Sequence, residues 1–148
     1  EADESPDPAL REALVHPPSR IEAALALGRT GRVHAMIDLS DGLAGDAGHL
    51  AAASGVRLVL ESESVPVHPG AVEALGEKVA RAAALRGGED YELLFAAAPD
   101  FDPSPLASPD VHLGRVGRVE AGEGVVLRAS DGTTVPAGGS WDHFGGPR

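Results

Sequence analysis

The spacing of apolar residues changes character in the last third of the chain, and this change constrains the fold more than any other feature. Up to Ala98, segments with helical spacing alternate with strand-like runs; after that, only short β runs remain. "PALREALV" carries Leu10, Leu14 and Val15 at helical spacing and stops at Pro17-Pro18, which cannot continue a helix. "SRIEAALALGR" predicts a second helix with Ser19 as N-cap, Glu22 three residues on, and Gly28 as stop. "VHAMIDL" is a strand. From Ser40 a helix follows whose apolar stripe is Leu43, Ala47, Leu50 and Ala51, ending at Ser54-Gly55. "VRLVLES" is the next strand, with Val56, Leu58 and Leu60 on one face. "HPGAVEALGEKVARAAAL" predicts one or two helices closed by Gly87-Gly88. The near-continuous apolar character of "YELLFAAA" predicts a strand buried on both faces. "PDFDPSPLASPD" is a loop or a short broken helix. The remaining "VHLGRVGRV", "GVVLRA" and "TTVPA" are short strands separated by the hairpin signals "EAGEG" and "SDG". Strand–helix–strand–helix–strand followed by a meander predicts an α+β fold with a mixed sheet, not a doubly wound parallel one.

A chain of 148 residues is expected to form one domain and to hide roughly 68–70% of the surface its unfolded form exposes. It contains no cysteine, which excludes disulfides, thiolate zinc sites and a cysteine nucleophile, and fits a reducing compartment. The formal net charge of −11 argues against nucleic-acid binding, since no basic stripe is present to displace counterions. A phosphorylated small molecule is still compatible with that charge, because a carboxylate-held magnesium ion reverses the local field. The longest apolar run falls far short of the ~20 residues a bilayer span requires. The opening "EADESPDP" is acidic and proline-containing, unlike the basic start of a signal peptide. Residues 1–9 read as a disordered lead-in or linker remnant, 10–148 as the folded domain, and the protein as cytoplasmic with no membrane partner.

Two stretches carry chemistry. In "MIDLSDGLAGDAGHL", Asp38, Ser40 and Asp41 stand where a strand ends and a helix begins. One account is that Ser40 or Asp41 caps the helix while Asp38 faces solvent. The other is that the carboxylates hold Mg2+ while the helix N-terminus faces a phosphate, with Gly42 leaving room for approach to the backbone N–H groups. Asp46 and His49 are i, i+3 neighbours on the same helix, without the spacing of a zinc site. In "GGEDYELLF", two glycines lead into Glu89, Asp90 and Glu92. Alternation puts Asp90 and Glu92 on one face of the strand and Glu89 and Tyr91 on the other. One account is a turn followed by a strand whose first residues are exposed; the other is that carboxylates beside a buried strand demand partners, and a cationic thiazolium or pyrimidinium ring would serve. The single tryptophan, Trp141 in "GGSWDHFGG", is either a core plug or a flat face for stacking such a ring. "GRVGRV" lacks the Lys-Ser/Thr of a phosphate-binding loop and does not open a helix. Neither a Gly-x-Ser-x-Gly elbow nor a His-Arg-Asp loop occurs.

Together, "MIDLSDGLAGDAGHLAAASGVRL", "ALRGGEDYELLF", "HLGRV" and "WDHF", in that order and spacing, resemble the C-terminal half of the thiamine-monophosphate kinase family, in the aminoimidazole-ribonucleotide-synthetase superfamily. The resemblance covers residues 10 to 144 and implies a three-layer α/β/α domain with a mixed, partly ferredoxin-like sheet, as in AIR-synthase C-terminal domains. It implies transfer of the γ-phosphoryl group of ATP to thiamine monophosphate, giving thiamine diphosphate. It further implies Asp38 and Asp41 as Mg2+ ligands, Ser40 as an ATP contact, and Glu89 and Trp141 as contacts to thiamine phosphate. Gly42, Asp46, His49, Gly88 and Asp90 adjoin those positions as candidate supports. The family's N-terminal ATP-binding domain, with its Gly-Asp-Asp segment, has no counterpart here, and the family homodimer is built largely through it. The chain is therefore expected to be an enzyme half that is inactive without that partner, with no catalytic residue of its own beyond the metal ligands. The alternative is a stand-alone thiamine-phosphate or nucleotide binding module without catalysis.

Overall fold

The structure is a computed structural model and describes residues 8–108 and 111–137. It is α+β, with the strands divided between a two-stranded and a four-stranded sheet. Helix α1 (Pro8–Val15) starts on proline, which suits a first helical turn, and so takes in Pro8 and Ala9 from the expected lead-in. Helix α2 (Ile21–Arg29) differs from expectation at both ends. Ser19 does not cap it: Arg20 is the residue before the first turn, and no side chain caps the helix there. Gly28 lies inside the helix rather than ending it. The stop comes at Thr30, whose hydroxyl donates to the Leu27 carbonyl at 2.6 Å, and at Gly31, where φ is +65°.

Strand β1 (Val33–Leu39) leads into helix α3 (Leu43–Ser54), which closes on Gly55 in the left-handed conformation. The expected stripe is buried, with Leu43, Ala47, Leu50 and Ala51 all inside. Helix α3 packs against β1, against strands β2 (Arg57–Glu61) and β5 (Gly124–Arg128), and against helix α5 (Glu77–Arg86). The core gathers on it: Leu58 and Leu60 from β2, Val65, and Leu94 from strand β3 (Glu92–Ala97). Each fully buried Leu or Val contributes roughly 1.5–3 kcal/mol relative to exposure. Val59 is also buried, so β2 is covered on both faces. Helices α4 (Pro69–Leu75) and α5 are separate because Gly76 between them adopts φ +78°.

Three expectations about strands need correction. Among the described residues strand β3 pairs only with β1, antiparallel, and Leu94 alone in it is buried. Leu94 turns to the core beside α3, while Phe95 on the other face is half-buried against Phe101 (ring centroids 6.4 Å apart, edge to face), so the second face is covered only in part. The acidic stretch before it is not strand either, since β3 begins only at Glu92. Finally, "EAGEG" is not a hairpin. It joins strand β4 (Gly117–Glu120) to β5, but β2 lies between them, antiparallel to β4 and parallel to β5. "SDG" is a hairpin, joining β5 to the antiparallel edge strand β6 (Thr134–Pro136). The four-stranded sheet, in the order β4-β2-β5-β6, is thus mixed as expected. Among the described residues no helix is long and apolar enough to cross a membrane.

Candidate functional site

At the end of β1 the backbone leaves the ribbon and must turn into α3 within three residues, Ser40 to Gly42. Gly42 makes the turn possible. It occupies the N-cap position with φ +96°, and a Cβ there would lie 2.7 Å from the Gly87 carbonyl oxygen. The N-cap residue is Gly42 and not Ser40 or Asp41, while Asp38 is exposed as the capping account expects. Asp46, in the first turn of α3, instead reaches back. Its Oδ2 accepts the backbone N–H of Ser40 and of Asp41, each at 3.0 Å. Asp46 is 3% exposed, Asp41 half-buried, Asp38 and His49 exposed.

The segment after α5 closes against this loop from the other side. The Glu89 N–H donates to the Ser40 carbonyl and the Tyr91 N–H to the Leu39 carbonyl, both at 2.8 Å. Gly88 sits so close that a Cβ would lie 2.6 Å from the Ser40 oxygen. Glu89 (φ +69°) and Tyr91 (φ +50°) are both left-handed, which costs a non-glycine residue about 1–2 kcal/mol. Such conformations persist where surrounding contacts over-determine them, and they gather at functional sites. The two sequence segments singled out for chemistry are therefore one backbone unit.

The side chains do not all converge as expected. One atom each from Asp41, Asp46 and His49 lie within 4.8 Å of one another, and Asp38 stands outside that group. The donors suit magnesium in part: it takes one or two carboxylates and keeps several waters, and Asp41 can offer one, whereas Asp38, still within β1, lies outside the converging group. Asp46 fits less well, since one of its oxygens already accepts two N–H bonds, and the His49 imidazole is a ligand for softer ions. Glu92 needs no cationic ligand, because Arg20 forms a two-pronged ion pair with it at 2.8 and 2.7 Å. Glu89, Asp90 and Glu92 are all exposed, which removes the case for a ring cation built on buried carboxylates. The surrounding protein, and secondarily the Glu92 charge, hold the Asp90 carboxyl above its ordinary value. Trp141 lies outside the described residues.

The anchoring by Asp46 was not visible in the i, i+3 spacing, which pairs it with His49. A carboxylate six residues past Ser40 in a first helical turn was the available signal. Nothing in the residue types at 89 and 91 announces a left-handed backbone.

Comparison with known proteins places these features in a family. Residues 3–130 match the family described as AIR synthase related protein, C-terminal domain. A curated relative, the thiamine-monophosphate kinase of Aquifex aeolicus (strain VF5), is 37% identical over 92% of this chain and 42% of its own length. The crystal structure of thiamine-monophosphate kinase from Stenotrophomonas maltophilia K279a superposes with a TM-score of 0.75 at 39% identity, covering 88% of this chain and 40% of that one. AaThiL complexed with AMPPCP and TMP superposes at 0.73 with 35% identity, over 95% of this chain and 44% of that one. The chain thus spans about two-fifths of the length of these relatives. It belongs to the AIR synthase related protein family, as a C-terminal domain, and its similarities within that family run to thiamine-monophosphate kinases.

Proposed function

We propose that this chain is the substrate-side domain of an ATP-dependent kinase that converts thiamine monophosphate to thiamine diphosphate in the cytoplasm, working with an N-terminal ATP-binding domain and, as a whole enzyme, as a homodimer. The observation that carries this reading is the bond from the Glu89 N–H to the Ser40 carbonyl. It fixes the loop proposed to meet magnesium and ATP against the segment proposed to meet thiamine phosphate. The AMPPCP and TMP bound to AaThiL, a structural neighbour, support a site that takes both kinds of ligand.

In the proposed reaction an oxygen of the thiamine phosphate attacks the γ-phosphorus of ATP. A new P–O bond forms as the bond to the bridging oxygen of the departing ADP breaks. The attacking oxygen is already anionic, so no side chain has to remove a proton, and the protein's task is alignment and charge balance. Asp38 and Asp41 would hold Mg2+, which when bound neutralises the phosphate charges brought together. Ser40 is assigned a hydrogen bond to ATP. Glu89, projecting from its constrained backbone, is assigned to the cationic side of the thiamine, and Trp141 to its ring.

Calorimetric titration of thiamine monophosphate into the chain with Mg2+ tests the substrate half of this reading. Heat of binding that is lost in Glu89→Gln is expected. Equal affinity of parent and variant would remove Glu89 from the site.

A further inference from the structure

Asp46 is the sole buried polar or charged residue among those described. A carboxylate is costly to bury unless hydrogen bonds or an opposite charge compensate it. Its compensation here comes from two consecutive backbone N–H groups, those of Ser40 and Asp41, converging on a single oxygen. A residue serving its helix alone would bond the amides of the first turn of α3, yet Asp46 reaches past that turn to the loop before it. On the opposite side, the Ser40 carbonyl accepts the Glu89 N–H, and Gly88 permits the close approach. The strip from Ser40 to Asp41 is therefore gripped through its N–H groups by Asp46 and through a carbonyl by the segment at Glu89.

We infer that Asp46 is a positioning residue: its buried carboxylate fixes the backbone from which Ser40 and Asp41 project and, through the Ser40 carbonyl, sets the position of Glu89. It acts as a hydrogen-bond acceptor and not as a metal ligand, although it lies in the Asp41–Asp46–His49 group. The functional weight of this inference rests on the proposed magnesium, ATP and thiamine-phosphate site; its structural content rests on the hydrogen bonds alone.

Asparagine separates the two roles, because its amide oxygen still accepts both N–H bonds while binding a hard cation poorly. Amide hydrogen exchange, followed by NMR on the metal-free chain, compares the parent with Asp46→Asn and Asp46→Ala. In the alanine variant, exchange at Ser40, Asp41 and Glu89 is expected to speed up about tenfold or more, with Val59 in β2 unchanged; in the asparagine variant it stays within about threefold. Unchanged protection of Ser40 and Asp41 in the alanine variant overturns the inference. A Mn2+ titration, read as paramagnetic broadening of the amides at 38–41, is the second arm and serves if the alanine variant does not fold. Asp46→Asn is expected to keep Mn2+ affinity within about threefold of the parent, whereas Asp41→Asn loses about tenfold or more. An equal loss in both makes Asp46 a ligand and overturns the inference. If the parent takes up no Mn2+, the metal reading fails, and the exchange experiment still decides the role of Asp46.

Discussion

Gly88 and Gly28 differ in a way that isolates what the loop packing requires. A methyl group on Gly88 would stand 2.6 Å from the Ser40 oxygen, whereas one on Gly28, in the last turn of α2, would meet nothing within 4 Å. Gly88→Ala is expected to destabilise the fold by about 1–3 kcal/mol, since a backbone carbonyl must move. Gly28→Ala is expected to stabilise it by up to about 0.5 kcal/mol, by removing a glycine from the last turn of a helix. Urea denaturation of the two variants side by side checks both signs. Asp90 makes a third test at this scale. Its carboxyl sits above the ordinary value because of the protein around it and the Glu92 charge. The folded form therefore holds its proton to higher pH than the unfolded form, and the Asp90 charge opposes folding above that raised value. Asp90→Asn is accordingly expected to raise the melting temperature at neutral pH. The gain should shrink as pH falls through the raised value and vanish below the ordinary carboxylate range. A gain that persists at acidic pH would point to a cause other than charge. Of the candidate site, sequence and resemblance put forward Asp38, Ser40, Asp41 and Glu89, of which the structure joins the backbones of Ser40 and Glu89. Neither reached the backbone bonds joining Ser40 to Asp46 and Glu89, because those depend on how distant segments meet.

At the scale of elements, α3 was legible in its stripe, set by local periodicity, and in its end at Gly55; its start, expected from Ser40, comes at Leu43 because Gly42 with φ +96° takes the N-cap position. Leu50 lies on that stripe within the main core, so Leu50→Ala is expected to cost about 2–5 kcal/mol, measurable as a lower denaturation midpoint with unchanged slope. A cost below that range would mean that α3 is not the helix on which the core is assembled. Strand pairing was less legible. "EAGEG" has the composition of a tight turn, and nothing local shows that β2, about sixty residues earlier, inserts between the strands it joins. "YELLFAAA" likewise reads as a central strand, although it forms a two-stranded ribbon with β1. Composition records how apolar a strand is, and not whether its two faces meet one neighbour or two. The cap assigned to Ser19 failed for a related reason: α2 begins after Arg20, whose guanidinium is committed to Glu92 seventy-two residues away.

For the whole molecule, the chain corresponds to about two-fifths of the kinases it resembles. The function we propose assigns the activity to a larger assembly, with this domain proposed as one wall of the site. The acidic charge of −11 is consistent with a wall that meets phosphates through bound cations and not through basic side chains. The most direct measurement is formation of thiamine diphosphate from thiamine monophosphate, ATP and Mg2+ by the chain alone, by the chain mixed with an N-terminal domain of a thiamine-monophosphate kinase, and by the same mixture carrying Asp41→Asn. Turnover is expected only in the unsubstituted mixture, with Asp41→Asn folded but inactive. Product from the chain alone, or a fully active Asp41→Asn mixture, would contradict the account.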